Sequence, residues 1–143
     1  MPDKHWSETA PKLYDIVTGF FPEASPKETW ATDPRPLIVC GRATDPESGT
    51  IFCRIAYGTS KQIDRAHPDD LVLGNMSLLD QLGLKKTTRF VINSGRQMVI
   101  MPWTEEFFQP WTGYTTPVLS SLPDEIQRHI GFVLSELSDL PQF

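Results

Sequence analysis

Apolar residues in this chain come in short runs, broken by polar stretches rich in proline and glycine. LYDIVTGFF (13–21) alternates loosely and is rich in β-forming residues, which predicts a strand. RPLIVCGR (35–42) holds four apolar residues in a row, Leu37 to Cys40, as a strand covered on both faces does. ATDPESG (43–49) carries the turn dipeptides Asp-Pro and Ser-Gly, and TIFCRIAYG (50–58) reads as the return strand of a hairpin. LVLG (71–74), TTRFVI (87–92) and RQMVIMPW (96–103) predict further strands, the last two being one bent strand or two around Asn93, Ser94 and Gly95. Asn75 is placed to cap a short helix, MSLLDQLG, stopped by Gly83. In 122–140, Ile126, Ile130, Val133, Leu134 and Leu137 recur at helical spacing, with Pro123 in the first turn and Asp124 and Glu125 at its positive end.

Between these elements lie a loose N-terminal arm (1–12), a long loop (22–34), a polar loop (59–70) and an aromatic insertion (104–119). The insertion contributes Phe107, Phe108, Trp111 and Tyr114, which either pack over the sheet or form a surface for a partner. The pattern predicts a mainly β fold with added helices: a small, strongly curved antiparallel sheet or partial barrel with a C-terminal helix. A length of 143 residues suits a single domain. No apolar stretch approaches the roughly 20 residues that span a bilayer, and MPDKHWSETAPKLYD lacks the apolar centre of a signal peptide, so a cytoplasmic location without membrane contact is expected. Cys40 and Cys53 sit in apolar runs and read as reduced core thiols.

Net charge is −5, which argues against a nucleic-acid partner until its distribution is considered. Residues 1–60, 61–103 and 104–143 carry −2, +2 and −5, so the first 103 residues are neutral and can present a local basic groove. The chain has no phosphate-binding glycine loop, no GxSxG and no HExxH. His5, His67 and His129 lack metal-ligand spacing, so no metal and no cofactor are expected.

Two clusters carry candidate chemistry. Arg35 stands between Pro34 and Pro36, which hold it in extended backbone at the start of a strand. YGTSKQ (57–62) ends a strand in Gly58 and then offers Thr59, Ser60, Lys61 and Gln62. If the hairpin turns near residue 46, Arg35 pairs roughly with residue 57, and a guanidinium and a hydroxyl meet at one end. That combination suits a phosphodiester. It equally describes a surface arginine in a salt bridge and a threonine that ends a strand.

Taken in order, these pieces resemble the MazF/PemK family of toxins from toxin–antitoxin systems. YDIVTGFFP resembles the family's opening strand, DPRPLIVCG its arginine-bearing strand, RIAYGTSKQ its third strand, GLKKTTRFVI and RQMVIMPW its later strands, and SLPDEIQRHIGFVL its C-terminal helix. The resemblance implies an SH3-like antiparallel barrel, a homodimer and a cognate antitoxin. It also implies a metal-independent, sequence-specific endoribonuclease that cleaves single-stranded RNA to 2′,3′-cyclic phosphate and 5′-OH ends. By that resemblance Arg35, Thr59 and Ser60 are catalytic, and Lys27, Trp30, Lys61 and Gln62 bind substrate. Tyr14 departs from the pattern, which has glycine before Asp15. The alternative is a non-catalytic SH3-like barrel, regulatory or phage-encoded, that binds a protein or nucleic acid.

Overall fold

The computed structural model describes residues 10–21, 34–61 and 63–143. Its elements are β1 (Asp15–Gly19), β2 (Arg35–Thr44), β3 (Ile51–Thr59), β4 (Leu71–Leu73), α1 (Met76–Leu82), β5 (Thr88–Phe90), β6 (Val99–Pro102), β7 (Val118–Ser121) and α2 (Asp124–Ser135). All strand pairs are antiparallel, and the sheet runs β4-β5-β3-β2-β1-β7, with β6 also on β3.

Strand β3 explains the curvature. One of its edges pairs along its length with β2. The other is divided: Phe52 to Ile55 pair with β6, while Gly58 and Thr59 pair with β5. Two partners leaving one edge bend the sheet. A bulge at Cys40, where the register shifts between Val39 and Gly41, adds twist. The result is a curled antiparallel half-barrel.

The four apolar residues of β2 are buried on alternate faces, as their uninterrupted run requires. Ile38 and Cys40 join Ile16, Ala56, Leu79, Leu82, Ile130, Val133 and Leu134 beneath the two helices. Leu37 and Val39 join Val17, Ile55, Met101, Trp103 and Phe108 on the opposite side. Truncating a large side chain in either layer costs roughly 3–5 kcal/mol. Cys40 and Cys53 form no disulfide, and burial pushes each thiol up to about 12.

Local signals set several boundaries. Asn75 accepts from the Leu78 N–H at 3.1 Å, and Gly83 ends α1 at φ 78° in the left-handed region. The expected strand 13–21 begins only at Asp15, because Tyr14 holds φ 69°. Helix α2 is shorter than the expected 122–140. Beyond it, Asp139 accepts from the Gly95 N–H and the Ser94 hydroxyl, each at 2.9 Å, and this pulls the tail across to the 3-10 turn Gly95–Gln97. That turn also shortens the expected strands 87–92 and 96–103 to β5 and β6. Strand β7 lies at the end of the expected 104–119 insertion and pairs with β1. No helix of the described residues is long and apolar enough to cross a membrane.

Candidate functional site

Where β2 begins and β3 ends, a cleft of about 310 Å³ opens at the rim of the sheet. The register Leu37↔Tyr57, carried two residues further, sets Arg35 opposite Thr59. This differs by two from the expected pairing with residue 57. The turn runs from Asp45 to Thr50 rather than centring near 46, and the Cys40 bulge shifts the register again. Arg35 and Thr59 nonetheless line the same cleft.

Ser60 and Lys61 also line it, so the structure brings together four of the sequence-predicted residues. The Lys61 N–H donates to Thr59 Oγ1 at 3.1 Å, a bond that orients the hydroxyl through its acceptor side. Lys27, Trp30 and Gln62 lie outside the described residues.

The rest of the lining comes from distant sequence. Lys85 and Lys86 stand on the segment after α1, Thr88 on β5, and Trp111 in the aromatic insertion. Spacing alone did not single out these four for the site. A signal was present in the positive balance of residues 61–103, in which Lys85 and Lys86 are adjacent. Trp111 reaches the cleft because its loop is fixed at two points. Thr18 Oγ1 donates to the Gln109 carbonyl at 2.7 Å, and fully buried Phe108 stacks at 4.5 Å on Trp103. The Trp111 indole N–H then donates to the Pro34 carbonyl at 2.7 Å, one residue before Arg35. The stiff proline lead is thus anchored by a bond from the insertion. The insertion both packs, through Phe108, and reaches the cleft, through Trp111.

Gly58, itself in the cleft lining, sets how closely the strands meet there. It is not among the residues at positive φ. A Cβ there would come within 2.7 Å of the Pro36 carbonyl and of the Phe90 ring. Glycine lets β2, β3 and β5 close together at the rim, and so fixes how near Arg35 stands to Thr59.

The electrostatics are one-sided. Arg35, Lys61, Lys85 and Lys86 line the cleft, and among the described residues no carboxylate does. All three lysines are exposed, and none forms an ion pair with a carboxylate among the described residues. The other polar side chains among the described lining residues are Thr59 and Ser60, with Thr88 and Trp111 already donating to the Lys86 and Pro34 carbonyls. The chemistry of such a surface suits an anion, with arginine able to grip two oxygens at once. Its net effect is opposite in sign to the chain's total charge of −5.

Among the described residues no group of three or more His, Cys, Asp or Glu could hold a metal ion. His67 is exposed in its loop, where its Nδ1 accepts from the Asp69 N–H at 3.0 Å, and His129 is exposed on α2. His5 lies outside the described residues. The chain matches no family model, and no curated protein matches its sequence.

Proposed function

We propose that this chain is a metal-independent endoribonuclease of the MazF/PemK kind, acting on single-stranded RNA at the rim cleft. The observation that carries the reading is the convergence of Arg35, three lysines and two strand-end hydroxyls on one cleft. In the proposed step the ribose 2′-oxygen bonds to the adjacent phosphorus and the bond from phosphorus to the 5′-oxygen breaks. The 2′-OH gives up its proton and the departing oxygen gains one. The products are a 2′,3′-cyclic phosphate and a 5′-OH end. Charge builds on the non-bridging oxygens of the phosphorane, and Arg35 stabilises it there, with Thr59 and Ser60 donating to the same oxygens. Arginine's high pKa makes charge stabilisation its main role, and proton transfer a lesser one.

The backbone at Tyr14 supports the resemblance. It stands where the family pattern has glycine, and its φ of 69° lies in the region that favours glycine. The curled sheet is compatible with an SH3-like barrel. The same reading makes the chain a cytoplasmic toxin, a homodimer neutralised by a cognate antitoxin.

One observation favours a second reading, a non-catalytic barrel that binds an anionic partner through the same cleft. Among the described residues no imidazole and no carboxylate lines it to take the 2′-OH proton. Incubation with a long single-stranded RNA in EDTA decides between them. Discrete cuts with 5′-OH ends, lost in Arg35→Ala, are expected. RNA that is bound but left intact establishes the second reading instead.

A further inference from the structure

Beside the cleft lies another cavity, of about 360 Å³, lined by Met76, Leu79, Asp80, Gly83, Leu84, Lys85 and Tyr114. The two share Leu84 and Lys85 as a common wall. Their chemistry differs. Among the described residues the cleft is lined by four cations and no carboxylate. Its neighbour balances one lysine against one carboxylate, Asp80, among apolar and aromatic walls. A carboxylate repels phosphate, so this second cavity is unsuited to a nucleic-acid backbone. An aromatic face beside hydrogen-bonding groups suits a nucleobase.

The chain delivers an aromatic residue to each cavity with one turn. The Tyr114 N–H donates to the Trp111 carbonyl at 3.0 Å, closing four residues with Gly113 at φ 92°. Trp111 lines the cleft and Tyr114 the neighbouring cavity. Tyr114 is 46% exposed, and its hydroxyl lies 3.6 Å from where a Cβ on Gly83 would stand. The helix-ending glycine therefore leaves room beside the tyrosine.

We infer that the Tyr114 cavity is a nucleobase subsite, in which a base next to the phosphate held by Arg35 stacks on Tyr114 and donates hydrogen bonds to Asp80. Lys85, common to both cavities, lies beside the backbone that joins base to phosphate. The carboxylate favours guanine, whose Watson–Crick edge presents two adjacent N–H donors, over uracil, whose single N–H is flanked by carbonyl oxygens. The inference rests on the reading of the cleft as a site for single-stranded RNA and names which of its features are read.

The test is binding of 2′-O-methyl tetranucleotides, which cannot be cleaved, so catalysis does not enter. Tyr114→Ala is expected to weaken binding roughly tenfold, the scale of losing one base–aromatic stack, and Tyr114→Phe to retain it. A G-containing tetranucleotide should outbind its U counterpart, and Asp80→Asn should narrow that difference. Binding that Arg35→Ala weakens but Tyr114→Ala leaves unchanged overturns the base subsite alone. No binding of any tetranucleotide by the wild-type chain overturns the RNA reading and the subsite with it.

Discussion

The two ends of the β2–β3 ladder are built from the same pair of strands and use polar groups in opposite ways. At the turn end, Asp45 accepts from the Ser48 hydroxyl at 2.8 Å and the Glu47 N–H at 3.1 Å, and the Ser48 hydroxyl lies 3.0 Å from that of Thr50. The Ser48 hydroxyl and the Glu47 N–H hold the Asp45 carboxyl below the usual carboxylate range. Donors and acceptors there serve one another. At the rim end, cations and hydroxyls gather around an open cleft in which no carboxylate of the described residues takes part. Between the two ends, Arg42 donates to the Pro11 carbonyl and Arg54 to the Pro141 carbonyl, so both tie other segments of the chain to the ladder. Three arginines on adjacent strands thus have different uses, and residue type alone does not distinguish them. What distinguishes Arg35 is the company it keeps in the cleft.

The largest expected effect lies at the rim. Arg35→Ala should lower RNA cleavage by about 10²-fold or more, the scale of losing one transition-state donor, with the circular dichroism spectrum unchanged. Arg42→Ala should leave the cleavage products unchanged while loosening the segment at Pro11. Equal losses of cleavage in both variants would erase the distinction between rim and clamp. Next, Gly58→Ala should destabilise the fold by about 1–3 kcal/mol in urea unfolding, because the added methyl meets backbone at Pro36 and the Phe90 ring. Stability like that of the wild type would mean that the rim closes by some other means.

A smaller effect is expected at the turn. The lowered Asp45 carboxyl contributes stability that is present above the ordinary carboxylate pKa and lost as pH falls through its folded value. Thermal unfolding of wild type and Asp45→Asn should therefore differ slightly at neutral pH and converge in acid. A difference that persists in acid would break the account of a self-satisfied turn. At neutral pH the middle of the ladder is quiet. With both thiols pushed up to about 12, Cys40 and Cys53 should resist alkylation in the native protein and react once it unfolds. Because the folded protein keeps these protons longer than the unfolded chain does, stability should fall as pH rises from about 8.5 towards 12. Rapid alkylation of the native protein would show that the ladder's centre is open.

Features set by neighbours in sequence were legible before the structure. The apolar run Leu37 to Cys40 gave a strand buried on both faces, and Asn75 and Gly83 bounded α1. The α2 stripe also lies inward, with Ile130, Val133 and Leu134 buried and Ile126 and Leu137 packed against them. Features set by distant partners were not legible. Strand β7 has only four residues and owes its geometry to β1. Half of the cleft was visible in Arg35 and the 59–61 stretch, because a hairpin relates them by counting. Lys85, Lys86, Thr88 and Trp111 arrive through β5 and the insertion, which no local periodicity reports. The Asp139 tether that shortens α2 is likewise a contact across 44 residues.

The divided edge of β3 imposes an order on assembly during synthesis. The hairpin of β2 and β3 is complete at Thr59, but its open edge waits for β5 and β6, which end at Phe90 and Pro102. At roughly 5–20 residues per second, a ribosome takes about 2–9 s to add those residues. Throughout that interval the nascent chain carries an unpaired strand edge, the kind of surface on which chains aggregate. A pause between Thr59 and Pro102 therefore prolongs the exposure of that edge.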